Sequence, residues 1–189
     1  MGNPRPLPPL VTPEEYLAGE LLADVRHEYV GGRVYAMAGT SIEHNEIVGN
    51  LVTALRAHLR GHRCRALFLD VKFRPRRDVF YYPDIMVCCD PSDNAPHWRQ
   101  RPSVVIEVLS PETRRIDEQE KALACWLTPA VEAYILVDQA VRQVRVMRRG
   151  AEGWETETLS ALDDVLALPA LEFTMTLAEV YERTAAATA

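Results

Sequence analysis

The sequence predicts a mixed α/β (α+β) fold of strands and helices in one domain, and three observations lead there. Two continuous apolar runs, SVVIEVL and AYILVD, have the β-branched content and the length of strands buried on both faces. From Ile42 onward, Ile47, Val48, Leu51, Leu55 and Leu59 recur at three- and four-residue spacing, the period of an amphipathic helix. Between such runs stand Gly and Pro punctuation marks, Gly31-Gly32, Gly61, Pro83, Pro111 and Pro129. The 189 residues are 48% hydrophobic and 25% charged, close to a globular average, so one substantial core is expected. The expected organisation is an extended arm over residues 1–11, one domain over 12–186 and a frayed end over 187–189.

In order, Thr12-Pro13-Glu14-Glu15 offers an N-cap, a proline at N1 and acids in the first turn, predicting a short helix to about Leu22. RHEYVGGRVYAM, Arg26 to Met37, predicts an N-terminal β-hairpin hinged at Gly31-Gly32, with Glu28 on its first arm. Thr40-Ser41 caps the long helix from Ile42 to about Arg60, with His44 and Glu46 near its start. Cys64 to Phe73 reads as a strand, Pro75 to Asp78 as a turn, and Val79 to Cys89 as a strand interrupted at Pro83. Proline inside a strand marks an edge, a bulge or a strand start, so Asp84 is expected at the beginning of the second piece. Asp90 to Arg101 reads as a loop. Asp117 to Trp126 reads as a helix with Ile116, Leu123, Ala124 and Leu127 on its apolar side. Ala133 to Asp138, Val141 to Arg148, Trp154 to Leu159 and Leu171 to Thr174 read as strands, and Leu177 to Ala186 as a last helix.

Composition excludes some functions. No apolar run approaches the ~20 residues of a membrane-spanning helix, and MGNPRPLPPL lacks the apolar core of a secretory signal. A net charge of −6 rules out a general nucleic-acid coat, so any DNA-binding face must be local. Cys64, Cys88, Cys89 and Cys125 form no CxxC pair, and reduced thiols in a cytoplasmic protein are expected. No G-x-S-x-G elbow or placed Cys/His pair supports a small-molecule hydrolase. No helix-turn-helix or zinc finger supplies a sequence reader.

The segment PSVVIEVLSPETRRIDEQEK concentrates the chemistry. Glu107 lies in the middle of a buried apolar strand, where an ionised carboxylate is costly without compensation. Asp117 and Lys121 stand further on at i, i+4, on one helix face. If the strands carrying Asp84 and Glu107 are neighbours, both carboxylates meet at one sheet edge with Lys121 nearby. Two hard oxygen ligands of this kind suit Mg²⁺ or Mn²⁺, which keep several waters. A metal held there lowers the pKa of a bound water and stabilises charge on a phosphate oxygen, with a lysine as a point charge beside it. Around this site Arg74, Arg76, Arg114 and Arg115 are candidate phosphate contacts, and Arg56, Arg60, Arg63 and Arg65 gather at the end of the long helix.

Pro83-Asp84 followed by Glu107-Val108 resembles the PD-(D/E)xK nuclease superfamily. VIEVLSPETRRIDEQEKALACW resembles more closely the Uma-two family of candidate restriction endonucleases, in which an E-V-x-S-P element precedes a D-x-x-x-K helix. HEYVGGRVYAMAG, EHNEIVGNLVTAL and AYILVD extend the likeness over about Val11 to Arg148. It implies a restriction-endonuclease-like mixed β-sheet flanked by helices, with the acids on central strands. It also implies catalytic Asp84, Glu107 and Lys121, metal ligands Asp84, Glu107 and the Val108 backbone carbonyl, and supporting Asp117, Glu28, His44 and Glu46. The superfamily's usual lysine place is occupied by Leu109, and Lys121 on the helix takes its role. The activity implied is Mg²⁺- or Mn²⁺-dependent endonucleolytic cleavage of DNA by a homodimer. The alternative is an inactive nucleic-acid- or protein-binding descendant that keeps the fold and an ion-paired site.

Overall fold

The computed structural model describes residues 9–37 and 39–188; most of the expected arm, and Ala189, lie outside them. The chain begins with α1 (Pro13–Glu20), then β1 (His27–Val30), β2 (Arg33–Ala36), α2 (Ile42–His58), β3 (Arg65–Phe68) and β4 (Lys72–Arg76). It continues through β5 (Val79–Tyr81), β6 (Ile85–Cys88), β7 (Trp98–Arg99) and β8 (Val104–Leu109) to a π-helical turn, Ile116–Lys121. After it come α3 (Ala122–Leu127), β9 (Ala133–Asp138), β10 (Val144–Arg149), β11 (Trp154–Leu159), β12 (Val165–Leu168), β13 (Phe173–Thr176) and α4 (Leu177–Val180).

The fold class is the expected mixed one, but the strands divide among several sheets. One holds five strands in the order β2-β1-β5-β4-β7, another six in the order β11-β10-β9-β8-β6-β3, and β12 pairs with β13. Two breaks create the division. Cys64 to Phe73 is not one strand: Leu69 takes φ 57°, a left-handed conformation costly for a branched residue, and turns β3 of the larger sheet into β4 of the smaller. Pro83 does the same in reverse between β5 and β6. A single strand over Cys64 to Phe73 would alternate Leu69, Val71 and Phe73 on one face against Asp70 and Lys72; the break instead leaves Leu69 exposed and Lys72 buried.

The larger sheet is a wall with a core on each side. Ile47, Leu51 and Leu55 of α2 pack with Val87, Ile106, Ile135 and Val146 on one face, joined by β12, β13 and α4. The other face carries Met86, Val105, Leu109, Tyr134 and Leu136, and meets Phe73, Val79 and Tyr81 of the smaller sheet and Ala122 and Cys125 of α3. All six residues of β8 are buried, because that strand is paired on both edges and covered on both faces.

Local signals hold where they depend on neighbours in sequence. Thr12 and Glu15 close a capping box on α1, and Ser41 caps α2. The turn at Gly31-Gly32 has φ 55° and 89°, as a tight hairpin turn requires. Elsewhere the boundaries move. The last helix stops at Val180, and a short 3₁₀ turn, Ala185–Ala187, then buries Ala186 against the core. The expected apolar side of the lysine helix is also wrong: Leu123 and Leu127 are exposed, while Asp117, Lys121, Ala122 and Cys125 face inward. A π turn adds a residue to the ring closed by each hydrogen bond, and this rotates the later residues relative to their places in an α-helix.

The cysteine expectation needs correcting too. β3 and β6 are antiparallel with Arg65 opposite Cys88, so Cys64 and Cys89 fall opposite each other one step further, and a disulfide joins them. Cys88 and Cys125 are free and buried. Among the described residues no helix is long and apolar enough to cross a membrane. Protein purified without reductant and then denatured should release two titratable thiols; four would show that Cys64 and Cys89 are not joined.

Candidate active site

The register of β6 and β8 brings the two acids together. These strands are antiparallel neighbours with Ile85 opposite Ile106, so Asp84, just before β6, meets Glu107 and Val108 where the pairing ends. The Val108 N–H donates to Asp84 Oδ2 at 2.7 Å, and the Asp84 N–H donates to Glu107 Oε2 at 3.3 Å. In an extended strand the N–H and C=O of one residue point to the same side. The Val108 carbonyl is therefore also directed towards Asp84, past the last β6 pair. His44, at the start of α2, donates its backbone N–H to the Ser41 cap and places Nε2 3.2 Å from Asp84 Oδ2.

Behind the acids the π turn inserts Lys121. Its Nζ lies 3.1 Å from Glu28 Oε1, 3.2 Å from Glu107 Oε1 and 3.0 Å from Asp117 Oδ1. Glu28 arrives from β1, in the other sheet, and also accepts the Tyr82 N–H at 3.2 Å. Tyr134 supports the turn by donating its hydroxyl to the Asp117 carbonyl at 2.8 Å. Although both acids are within ion-pair reach of Lys121, Glu107 Oε1 and Asp117 Oδ1 receive no hydrogen bond of acceptable geometry. The attraction at those oxygens is thus Coulombic, and their lone pairs remain undirected.

Counting charge decides the character of the site. Four carboxylates gather around one lysine: Glu28, Glu107 and Asp117 pair with Lys121, and Asp84 stands beside them against His44. Burial pushes the Glu107 carboxyl well above its ordinary value; Lys121 pulls it back, and Asp117, Asp84 and Glu28 push it further up. Burial lowers the Lys121 ammonium, but Glu107, Glu28 and Asp117 outweigh it and hold its pKa well above the usual lysine value. The site carries more negative charge than its lysine offsets. A divalent cation would correct that, and the donors on offer are all hard oxygens: two carboxylates and a free-edge carbonyl. Among the described residues, no three or more His, Cys, Asp or Glu side chains converge as a metal cage. A two-carboxylate set still fits Mg²⁺, which commonly binds one or two carboxylates and keeps its waters.

The site opens into a cleft of about 180 Å³, lined also by Tyr35, Met37, Thr40, Ser110 and Thr113. Asp84, with 22% of its side chain exposed, is the more accessible acid. Glu46 does not line the cleft. The four arginines matched to phosphate from the sequence are engaged within the chain. Arg76 pairs with Asp78, Arg114 with Asp138 and Glu118, and Arg115 with Glu120, while Arg74 stacks over Phe80 and Trp98. Tyr82 and Tyr134 were not picked out from the sequence. Tyr134 could have been found, since in AYILVD it alternates onto the same face as Leu136, opposite Glu107.

The model of the Uma2 family, described as "Putative restriction endonuclease", matches residues 13–178. An uncharacterized protein of Synechocystis sp. is 33% identical over 147 residues, 77% of each chain. A second uncharacterized protein of that organism is 28% identical over 134 residues, 69% of this chain and 76% of its own. A crystal structure from Anabaena variabilis, described as "a putative nuclease belonging to DUF820", superposes with a TM-score of 0.74 at 20% identity. That superposition covers 90% of this chain and 97% of the other.

The charge imbalance has opposite consequences for its members. Lys121→Met strands buried carboxylates and should destabilise by on the order of 3 kcal/mol. Glu107→Gln removes an uncompensated charge and should raise the melting temperature of metal-free protein. The raised Glu107 pKa means the folded state holds a proton that the unfolded chain gives up near 4.5. Stability therefore falls as pH rises above that value, and the advantage of Glu107→Gln should widen from pH 5 to 8. A pH-independent difference in melting temperature would contradict this assignment.

Proposed function

The chain belongs to the Uma2 family, and from that premise we propose that it is a metal-dependent endonuclease hydrolysing phosphodiester bonds of DNA. The observation that carries this reading is the surplus of carboxylate over lysine where β6 and β8 end, with Asp84 open to the cleft. Asp84, Glu107 and the Val108 carbonyl would hold Mg²⁺ or Mn²⁺. When bound, such an ion makes its water acidic and stabilises charge on a phosphate oxygen.

The chain's own groups do the positioning. The Val108 N–H and His44 fix one oxygen of Asp84, and the Asp84 N–H fixes one oxygen of Glu107. Asp117 and Glu28 hold Lys121 against Glu107, where its ammonium offsets part of the cost of burying that carboxyl and assists the attacking water or the phosphate. The cytoplasmic location and the homodimer expected from the sequence belong to this reading. Leu123 and Leu127 of α3, at 52% and 68% exposure, provide an apolar surface for pairing, and a monomer at all micromolar concentrations would remove the dimer from it.

One observation favours a second reading, a non-catalytic DNA binder that keeps the fold. Lys121 is already satisfied by three acids, an arrangement that can exist for structure alone. Cleavage decides between the two. Asp84→Asn, Glu107→Gln and Lys121→Met should each lower Mg²⁺-dependent cleavage of plasmid and linear DNA by at least about 100-fold with circular dichroism unchanged. Full activity in Glu107→Gln would refute this assignment of the catalytic site. Absence of cleavage in the unmodified protein with either metal, alongside binding that survives Glu107→Gln, would establish the second.

A further inference from the structure

Besides the acidic cleft, a groove of about 710 Å³ lies between the second half of α2 and β3. Arg56, Arg60, His62 and Arg65 line it, and Arg63 stands exposed beside it. Their situation differs from that of eight other arginines in the chain. Arg26, Arg76, Arg77, Arg101, Arg114, Arg115, Arg145 and Arg148 each pair with a carboxylate. Among the described residues, no carboxylate lies within ion-pair distance of Arg56, Arg60, Arg63 or Arg65. In a protein of net charge −6, four guanidinium groups without an acid partner around one groove, Arg56 also lying over the Phe68 ring, make a local positive field aimed at an anion.

The groove also leads to the acids. α2 starts at the site, with His44 against Asp84, and runs away from it; β3 runs back, its Phe68 opposite Ile85, the residue after Asp84. A smaller cavity lined by His44, Leu69, Asp70 and Asp84 adjoins the acids, and its Leu69 directly follows Phe68 of the groove lining. The one acid on that path, Asp70, is neutralised by Arg26 at 3.3 Å. From His44 to Arg56 is twelve residues of helix, about 18 Å. At 3.4 Å per base pair that is about five base pairs.

We infer that this groove seats the nucleic-acid backbone on one side of the cleavage site, with Arg56, Arg60 and Arg65 neutralising phosphates about five base pairs from the one that is cut. The inference deepens the nuclease reading and rests on it for the position of the cut. The binding itself can be tested without cleavage. Arginine serves here as charge, with little demand on geometry, so lysine should replace it.

The test measures binding of a fluorescein-labelled duplex of about 20 base pairs in EDTA across a salt series. Replacing Arg56, Arg60 and Arg65 together by alanine should weaken binding and flatten the slope of log K against log[salt] by about three, roughly one for each lost contact. The melting temperature should be unchanged, and the triple lysine variant should keep the original slope. In cleavage assays the alanine variant should raise KM and leave kcat alone. It should lose even that effect on duplexes ending fewer than about five base pairs from the cut on that side. An unchanged salt slope in the alanine variant would overturn the groove while leaving the nuclease reading intact. A lost slope in a protein that never cleaves would support the groove and remove the nuclease reading.

Discussion

Placing Glu107 in the middle of β8 is the constraint that organises the site. The strand is hydrogen-bonded on both edges and packed on both faces, so water cannot solvate the carboxylate. A buried ion must find its compensation within the protein. Lys121 supplies part of it, and Lys121 in turn needs Glu28 and Asp117 to hold its own charge out of water. The outcome is a cluster of charges at the base of the cleft in which negative exceeds positive. Such an arrangement is poorly explained as a stabilising device, because a neutral packed core would serve at least as well.

The sheet division explains how four acids from distant parts of the sequence converge. β1 and β5 belong to the smaller sheet, β6 and β8 to the larger, and the chain passes between the sheets at Leu69 and Pro83. The corner at Pro83 ends one sheet's ladder and starts the other's within a few residues. Asp84, placed there, needs no ladder partner of its own, so its side chain can accept the Val108 N–H that β6 no longer reaches. Glu28 approaches from the opposite sheet across the same corner. A single continuous sheet would have separated these groups; two sheets meeting at a bend bring Glu28 and Glu107 within one ammonium's reach, with Asp84 beside Glu107.

The π turn makes the last adjustment. In an ordinary helix, the pattern from Ile116 to Leu127 would turn Leu123 and Leu127 to the core and the charged residues to solvent. The wider turn instead directs Asp117, Lys121, Ala122 and Cys125 inward. Apolar surface is left exposed so that a lysine can be buried, a choice that packing alone would not favour. Interruptions of this kind are frequent at functional sites.

The sequence by itself determined the mixed fold class, the caps of α1 and α2, the glycine hairpin, the buried stripe of α2 and the two-sided burial of β8. All rest on periodicity or on contacts between residues a few positions apart, which a linear pattern records directly. It also singled out Asp84, Glu107, Asp117 and Lys121, since a carboxylate inside an apolar strand is anomalous whatever surrounds it. Tertiary structure alone decided the split into two sheets, the opposition of Cys64 and Cys89, the inward face of the lysine helix, and which arginines lack acid partners. Each of these depends on strand register or on neighbours tens of residues away. A shift of one residue in register moves a side chain to the opposite face, and a left-handed Leu69 or a π turn introduces such a shift without a mark in the local pattern.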